Sequence, residues 1–223
     1  MALTDELKFG AAPLWNKVLT HPFVVEMGDG TLPPEKFRFY FIQDYVFVND
    51  LAKVVSLAIS KAPDFGAANK LSQFLQAIVT SEENLFQRAF HELGVQPDQY
   101  RESKAAPTTR AFGDFLVRLS HEGSFQEILA ALYVTEGTYL DWATRLIQQK
   151  RRPQNTVYQE WIDIHSPRAL GDFVSWLENH LNSSVPETLI PRIKDAFLTA
   201  LRYEYLFWEM AYKGERWPDE SRS

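Results

Sequence analysis

Four acidic residues stand in the middle of the most apolar faces of four helical stretches: Asp44, Glu82, Glu136 and Glu204. The residues three, four and seven positions away, which share a helix face with each acid, are mostly leucine, isoleucine, valine and aromatic residues. A carboxylate on such a face points inward, where an unpaired charge is costly unless the group takes up a proton. Four such acids predict a polar cavity shared between helices.

An inward acid can also have a purely structural role, in which it pairs with a buried arginine, lysine or tyrosine. We favour that interpretation for Glu82, because Lys70 and Arg88 lie in the same predicted helix. The other three acids have denser aromatic surroundings, which together with a carboxylate would select a flat nitrogenous base. Tyrosines within one helical turn of an acid are expected to orient the carboxylates or to contact the substrate: Tyr40, Tyr45, Tyr133, Tyr139, Tyr203 and Tyr205.

A carboxylate-bridged di-metal site is an alternative use of acids that face each other across a helical bundle. Ferritin-like sites pair a glutamate with a histidine three residues later. No acidic residue in this chain has a histidine at that spacing, and none of the five histidines recurs four residues from another. The sequence therefore predicts no metal and no cofactor. A haem oxygenase with His21 as axial ligand is a weaker rival, because a His-Pro pair is also an ordinary helix start.

Composition limits the fold and the partners. A chain of 223 residues, 45% hydrophobic and 14% aromatic, can bury a large core and predicts one domain over 1–223 with disorder only in the last few residues. The net charge of -6 argues against a nucleic-acid partner, and the absence of cysteine excludes a thiol nucleophile. No apolar run reaches about 18 residues and no leader pattern opens the chain, so we expect no membrane partner and a cytoplasmic location.

Helical periodicity runs through nearly the whole sequence, which predicts an all-α antiparallel bundle. Ser124 with Glu127 and Ser184 with Glu187 have the spacing of capping boxes, and Gly94 is expected to end the helix that carries Glu82. The predicted helices cover 4–20, 21–28, 34–61, 64–93, 107–122, 124–150, 155–164, 167–181 and 186–213.

Three motifs, in this order and spacing, resemble the TenA family of thiamin-salvage hydrolases, also called thiaminase II. They are His-Pro-Phe at 21–23, Phe-Ile-Gln-Asp-Tyr at 41–45, and the closing run Tyr-Glu-Tyr-Leu-Phe-Trp-Glu-Met-Ala-Tyr at 203–212. The resemblance covers essentially the entire chain. It implies a heme oxygenase-like helical fold, a homo-oligomer (a tetramer or a dimer), and a deep pocket for 4-amino-5-substituted-2-methylpyrimidines.

The resemblance also implies roles for individual residues. One branch of the family has a cysteine in the helix that here contains Thr135 and Glu136, whereas the other branch has a Glu-x-x-Tyr arrangement, which Glu136 and Tyr139 match. Asp44 is then expected to hold the pyrimidine through its exocyclic amine and ring nitrogen. Glu204 is expected to be the second acid/base carboxylate, with Glu209 as the fallback.

Three positions depart from the commoner pattern of the family. Phe47, Phe112 and His165 stand where many members have a tyrosine, so each loses or alters a hydroxyl. We expect all three to contact the substrate, together with Tyr40, Tyr45 and Tyr139, and we keep Tyr133 as a further candidate. These departures bear on the identity of the substrate more than on the fold.

The expected reaction is hydrolysis of an N-formyl or amino derivative of 4-amino-5-aminomethyl-2-methylpyrimidine by a water that Glu136 and Glu204 activate. Two carboxyl groups in one apolar pocket cannot both ionise cheaply, so at least one pKa is expected to rise. Two rivals stay open: a carrier or regulatory module that binds a pyrimidine without turnover, and a di-iron oxygenase with the same architecture. A direct DNA-binding regulator fits the acidic composition worst.

Overall fold

The computed structural model describes residues 1–183 and 185–219, and this part of the chain is helical with no strand. The helices are α1 (Leu3–Gly10), α2 (Ala12–Leu19), α3 (Pro22–Asp29), α4 (Pro34–Ser60), α5 (Phe65–Ala77), α6 (Glu83–Glu92), α7 (Pro97–Arg101), α8 (Pro107–Glu122), α9 (Phe125–Gln148), α10 (Thr156–Ile164), α11 (Pro167–Ser183) and α12 (Ile190–Lys213). A π-helical turn, Ile78–Glu82, joins α5 to α6, and a 3₁₀ turn, Glu187–Leu189, precedes α12.

The all-α prediction is confirmed, with differences at the ends of elements. The predicted helix 4–20 is two helices, because the chain turns at Ala11 and Pro13, in the first turn of α2, lacks the N–H that would continue the hydrogen bonding of α1. The capping box of Ser124 and Glu127 is present at the start of α9. The predicted cap at Ser184 and the predicted disorder after residue 219 lie outside the described residues.

Helix α9 forms the centre of the bundle. Nearly all of its residues from Phe125 to Thr138 are buried, and it packs against α12, α11, α8 and α4. A helix that is covered on all sides has no solvent-facing stripe, so an acid on it must meet either a partner or an internal cavity. Glu136 is 8% exposed and lies on this central helix.

The π-helical turn changes the face that the chain presents after α5. With α-helical geometry, Leu75, Ile78 and Val79 were expected to share a buried stripe with Glu82. Ile78 is 3% exposed, but Val79 is 52% exposed. The wider π turn rotates the residues that follow it relative to α5, and such turns are frequent at functional sites.

Within the described part of the chain, every helix is too short or too polar to cross a membrane.

Candidate active site

A cavity of about 480 Å³ lies between α4, α5, the π-helical turn, α8, α9, α10, α11 and α12. All four inward acids line it, each from a different element: Asp44 from α4, Glu82 from the π turn, Glu136 from α9 and Glu204 from α12. The four acids therefore line one cavity, as predicted. A volume of this size suits a small heterocycle.

Asp44 is 5% exposed, and its Oδ2 atom is buried without a hydrogen-bond partner. Burial raises the pKa of the carboxyl well above its ordinary value, and the charges of Glu82 and Glu136 raise it further. A buried polar atom that lacks a partner is costly in a protein interior. Because Asp44 lines the cavity, a ligand with N–H groups can supply the missing bond.

Glu136 accepts a hydrogen bond from the hydroxyl of Thr135 at 3.0 Å (Oγ1 to Oε1). Burial raises its pKa to about 8, and the charge of Glu82 contributes to the rise, whereas the Thr135 bond lowers it. The carboxyl therefore gains and loses its proton near neutral pH. This is the range in which a general acid or base works best.

The acids of the cavity raise one another's pKa values. The pKa of Glu204 is raised well above its ordinary value by burial and then by the charges of Glu136 and Asp44. The charge of Glu82 acts instead on Asp44 and Glu136. The four carboxyl groups of the cavity are therefore electrostatically coupled, and ionisation of one makes ionisation of a neighbour more costly.

The favoured structural interpretation of Glu82 is wrong. Arg88 points outward and pairs with Glu160, and Lys70 lines the cavity mouth without forming an ion pair with Glu82. Burial raises the pKa of Glu82 to about 7, the opposite of the effect of a neighbouring cation. The π turn directs the carboxyl into the cavity.

Aromatic side chains form one wall of the cavity. Phe47 packs against Phe112 and Phe207 with ring centroids 4.9 Å and 5.4 Å apart. Phe207 lies three residues after Glu204 and shares its helix face. These rings offer flat apolar contact without a hydroxyl, so hydrogen bonding to a ligand must come from other residues.

Two further predicted residues, Tyr139 and His165, line the cavity. The hydroxyl of Tyr139 is 2.9 Å from that of Tyr40, which lies fully buried behind it. Burial lowers the pKa of His165 to about 4, so the ring is neutral at pH 7. Its Nδ1 atom donates to the carbonyl of Trp161 at 2.8 Å, which leaves Nε2 as an acceptor.

The expectation that nearby tyrosines orient the carboxyl groups of the four acids is wrong: in the described part of the chain none of the six tyrosine hydroxyls bonds one of these acids, and of the six only Tyr139 lines the cavity. Tyr45 is next to Asp44 and therefore points about 100° away around the helix; it lies off the cavity and donates to Glu83. Tyr133 donates to Glu178 on α11 at 2.6 Å. Tyr205 donates to Glu209 at 2.9 Å.

Glu209, the fallback carboxylate, also lies away from the cavity. It pairs with Lys213 one turn along α12, which lowers its pKa to about 2. Glu209 also contacts His21 Nε2 at 3.3 Å.

His21, the axial ligand of the haem alternative, caps the start of α3, where its Nδ1 accepts the N–H of Phe23. Both nitrogens of His21 are thus engaged, so the ring is a capping residue rather than a free axial ligand. Across residues 1–183 and 185–219, no three histidine, aspartate or glutamate side chains are grouped so that they could hold a metal ion.

Residues 10–214 match the TENA/THI-4/PQQC family. The chain belongs to this family. The match covers most of the sequence and agrees with the motifs at 21–23, 41–45 and 203–212. The predicted membership is confirmed.

Relatives of this TENA/THI-4/PQQC member agree in sequence and in fold. An aminopyrimidine aminohydrolase of Helicobacter pylori is 31% identical over 216 residues, which cover 96% of this chain and all of the relative. The solved TenA homologue of P. horikoshii OT3 is 28% identical, with a TM-score of 0.88 over 96% of this chain and 100% of that one. A Shewanella denitrificans domain with a heme oxygenase-like fold is 16% identical, with a TM-score of 0.76 over 95% of this chain and 92% of that one. The predicted heme oxygenase-like fold is confirmed.

Sequence reasoning missed two features of the cavity of this TENA/THI-4/PQQC member. Phe207 lies three residues after Glu204, and this spacing on an apolar helix face is the sequence signal that could have placed it in the site. Thr135 lies on the helix where one branch of the family has a cysteine, and its hydroxyl bonds Glu136. A Thr-Glu pair has no distinctive sequence signal, because adjacent helical residues normally point in different directions.

The raised pKa values predict how the stability of the ligand-free protein depends on pH. The pKa of Glu136 is about 8 in the folded state and 4.5 ordinarily, so the native state holds a proton that the unfolded chain loses. The stability that this bound proton gives to the folded state is fully present below about pH 4.5 and is lost as pH rises through about 8. We expect Glu136→Gln to gain stability relative to the unmodified protein by up to about 1.4 kcal/mol per pH unit across this window.

Urea unfolding at pH 5.5, 6.5 and 7.5 measures this difference. The matched control is Asp141→Asn, because Asp141 is a partly exposed carboxylate on the same helix, bonded to Lys8 and Trp15. A difference between Glu136→Gln and the unmodified protein that does not change with pH would contradict the raised pKa.

Proposed function

We propose that this protein hydrolyses the side-chain carbon–nitrogen bond of an aminopyrimidine released from degraded thiamin. The substrate class is an N-formyl or amino derivative of 4-amino-5-aminomethyl-2-methylpyrimidine. The observation that carries the proposal is the buried, unpartnered Oδ2 of Asp44 in the same cavity as Glu136. The name and the sequence identity of the Helicobacter pylori relative support the reaction type.

Asp44 binds the pyrimidine in this proposal. Its carboxylate accepts hydrogen bonds from the exocyclic amine and, when the ring is protonated, from a ring nitrogen, which is the two-point geometry of an amidine. The flat ring packs against Phe47, Phe112 and Phe207. The cavity then orients the side-chain methylene towards Glu136, which lines the same space.

Glu136 is the general base for the attacking water, and Glu204 is its partner. For the amino derivative, the water oxygen bonds to the methylene carbon, its proton passes to Glu136, and the carbon–nitrogen bond breaks to release ammonia. For the formyl derivative, the water attacks the formyl carbon and the products are formate and the free amine. In both cases the proton held by the carboxyl pair returns to the departing nitrogen, so no cofactor is needed to balance the reaction.

Mass spectrometry of a panel of thiamin degradation products, incubated with the protein, tests the proposal. We expect water-dependent loss of ammonia or formate from an aminopyrimidine, with incorporation of one ¹⁸O atom from labelled water. Tight binding without product would favour the carrier or regulatory alternative, to which the hydroxyl-free wall of Phe47 and Phe112 also points. The homo-oligomeric state and the cytoplasmic location stay predictions.

A further inference from the structure

The motif Phe-Ile-Gln-Asp-Tyr at 41–45 contains a buried residue that the proposed reaction does not use. Gln43 is 3% exposed and lies on α4 directly before Asp44. Its amide bonds the backbone that leads into α8: Nε2 donates to the carbonyl of Lys104 at 3.1 Å, and Oε1 accepts the N–H of Ala106 at 2.7 Å. Successive helical residues point about 100° apart, so α4 directs Asp44 into the cavity and Gln43 onto the start of α8.

The two Gln43 bonds meet a need of the backbone at this point. Ala106 is the residue that precedes α8, and it is 4% exposed. The first N–H groups of a helix have no partner within the helix, and a buried N–H without a partner is costly. Since the amide of Gln43 is bonded through both its oxygen and its nitrogen, it holds the start of α8 at a defined place on α4.

The Gln43 bonds lie next to the aromatic wall of the cavity. Gln43, Phe47 and Asp50 are spaced so that they share one face of α4, and this face meets α8. Phe47 packs against Phe112 of α8 with ring centroids 4.9 Å apart. Asp50 lies so close to Gly113 that a Cβ atom at residue 113 would overlap with its Oδ2 atom. The wall residue Phe47 therefore lies between two close contacts of the same helix pair.

The other end of this helix pair is held in a similar way. Lys61, directly after α4, donates to the carbonyls of His121 and Gly123 at the end of α8, at 2.9 Å and 2.6 Å. Helices α4 and α8 thus run parallel and are joined by side-chain bonds at both ends. Lys61 is about four helical turns from Phe47, whereas Gln43 is about one turn away. Of these two attachments, Gln43 is the one close to the ligand.

We propose that Gln43 is a positioning residue that fixes the distance between Asp44 and Phe112. The inference rests on the proposed function, in which Asp44 binds the edge of the pyrimidine and Phe112 contacts its face. Because α4 carries Asp44 and α8 carries Phe112, a displacement of the start of α8 changes the separation of these two contacts. Binding groups must be held to within about 0.5 Å of their productive positions. Gln43 acts through Phe112, since its own amide is bonded to the backbone.

A double-mutant cycle with Gln43→Met and Phe112→Leu tests the proposal. Methionine keeps the length of the side chain and removes both hydrogen bonds. Isothermal titration with 4-amino-5-hydroxymethyl-2-methylpyrimidine measures affinity without turnover. We expect each single substitution to weaken binding by about fivefold to tenfold, and the double variant to bind within about twofold of Phe112→Leu alone. Once the ring is absent, Gln43 has nothing left to position. Effects that multiply in the double variant would overturn the proposal.

Lys61→Met is the matched control, because it also removes two hydrogen bonds between α4 and α8. It should lower stability but leave affinity within about twofold, since the attachment that it removes is distant from the wall. Equal weakening of binding by Lys61→Met and Gln43→Met would show a general loosening of α8 and would overturn the proposal. In steady-state kinetics, Gln43→Met should raise KM while kcat stays within about threefold, because Glu136 remains in place.

A shorter amide covers the case in which Gln43→Met does not fold. Gln43→Asn lacks one methylene, so it cannot reach both backbone groups at once, and its effect on affinity should also be lost in the Phe112→Leu background. Unchanged affinity in either folded Gln43 variant would contradict the assignment. Absence of pyrimidine binding by the unmodified protein would instead overturn the proposed function, so the two failures are distinguishable.

Discussion

Replacing Glu136 with glutamine is expected to lower kcat for aminopyrimidine hydrolysis by about 10² to 10⁴-fold, the usual contribution of a positioned general base. Glutamine keeps the size of the side chain and can still accept the hydrogen bond from Thr135. It cannot take the proton of the attacking water. Steady-state kinetics with detection of ammonia or formate measures the effect, and binding of the pyrimidine should change far less than kcat.

Asp141→Asn serves again as the control for this prediction, because it removes a carboxylate from the same helix without touching the cavity. Its kcat should stay within about twofold, in keeping with a partly exposed ion pair. Full activity of Glu136→Gln would show that another group activates the water. The pH profile adds a second check: activity that depends on the carboxylate form of Glu136 should rise with pH as that group loses its proton near pH 8.

Truncating Asp44 to alanine is expected to weaken pyrimidine binding by about 2 to 4 kcal/mol, the loss that follows removal of a desolvated, charged hydrogen-bond partner. The Oδ2 atom has no partner in the protein, so its bonding capacity is available to the ligand. Isothermal titration with the non-reacting 5-hydroxymethyl pyrimidine measures the change. Asp44→Asn should lose nearly as much, because an amide cannot accept both N–H bonds of an amidine.

Asp50→Asn is the matched control for Asp44, since it lies on the same helix and pairs with Lys53 near the surface. Its affinity for the pyrimidine should match that of the unmodified protein. Unchanged affinity in Asp44→Ala would remove Asp44 from the binding site. The aromatic wall would then be the main contributor to binding.

Several features of the protein could be predicted from the sequence because they follow from local periodicity. The apolar stripes around Asp44, Glu136 and Glu204 are regular over several helical turns, so these acids had to point inward wherever their helices packed. The absence of cysteine and the three family motifs likewise depend on residue identity alone. These features predicted the all-α fold, the family and three of the four cavity acids as functional candidates.

Other features depend on how the helices pack. The π turn before α6 places Glu82 in the cavity and exposes Val79, because one wider helical turn changes the direction of the residues that follow it. The partners of Tyr45 and Tyr133 lie on other helices, where periodicity carries no information. Lys213, in contrast, lies four residues after Glu209 on the same face of α12, so the spacing alone allowed that ion pair.

Glu204 and Glu209 show most directly what residue spacing determines and what helix packing determines. Both lie on one aromatic helix and both were candidates for the second carboxylate. Five residues correspond to about 140° around a helix, so only one of the two could face the cavity. Spacing determined that they diverge, but only the packing of α12 against α9 and α4 decided that Glu204 is the inward residue, while Lys213 holds Glu209 outside.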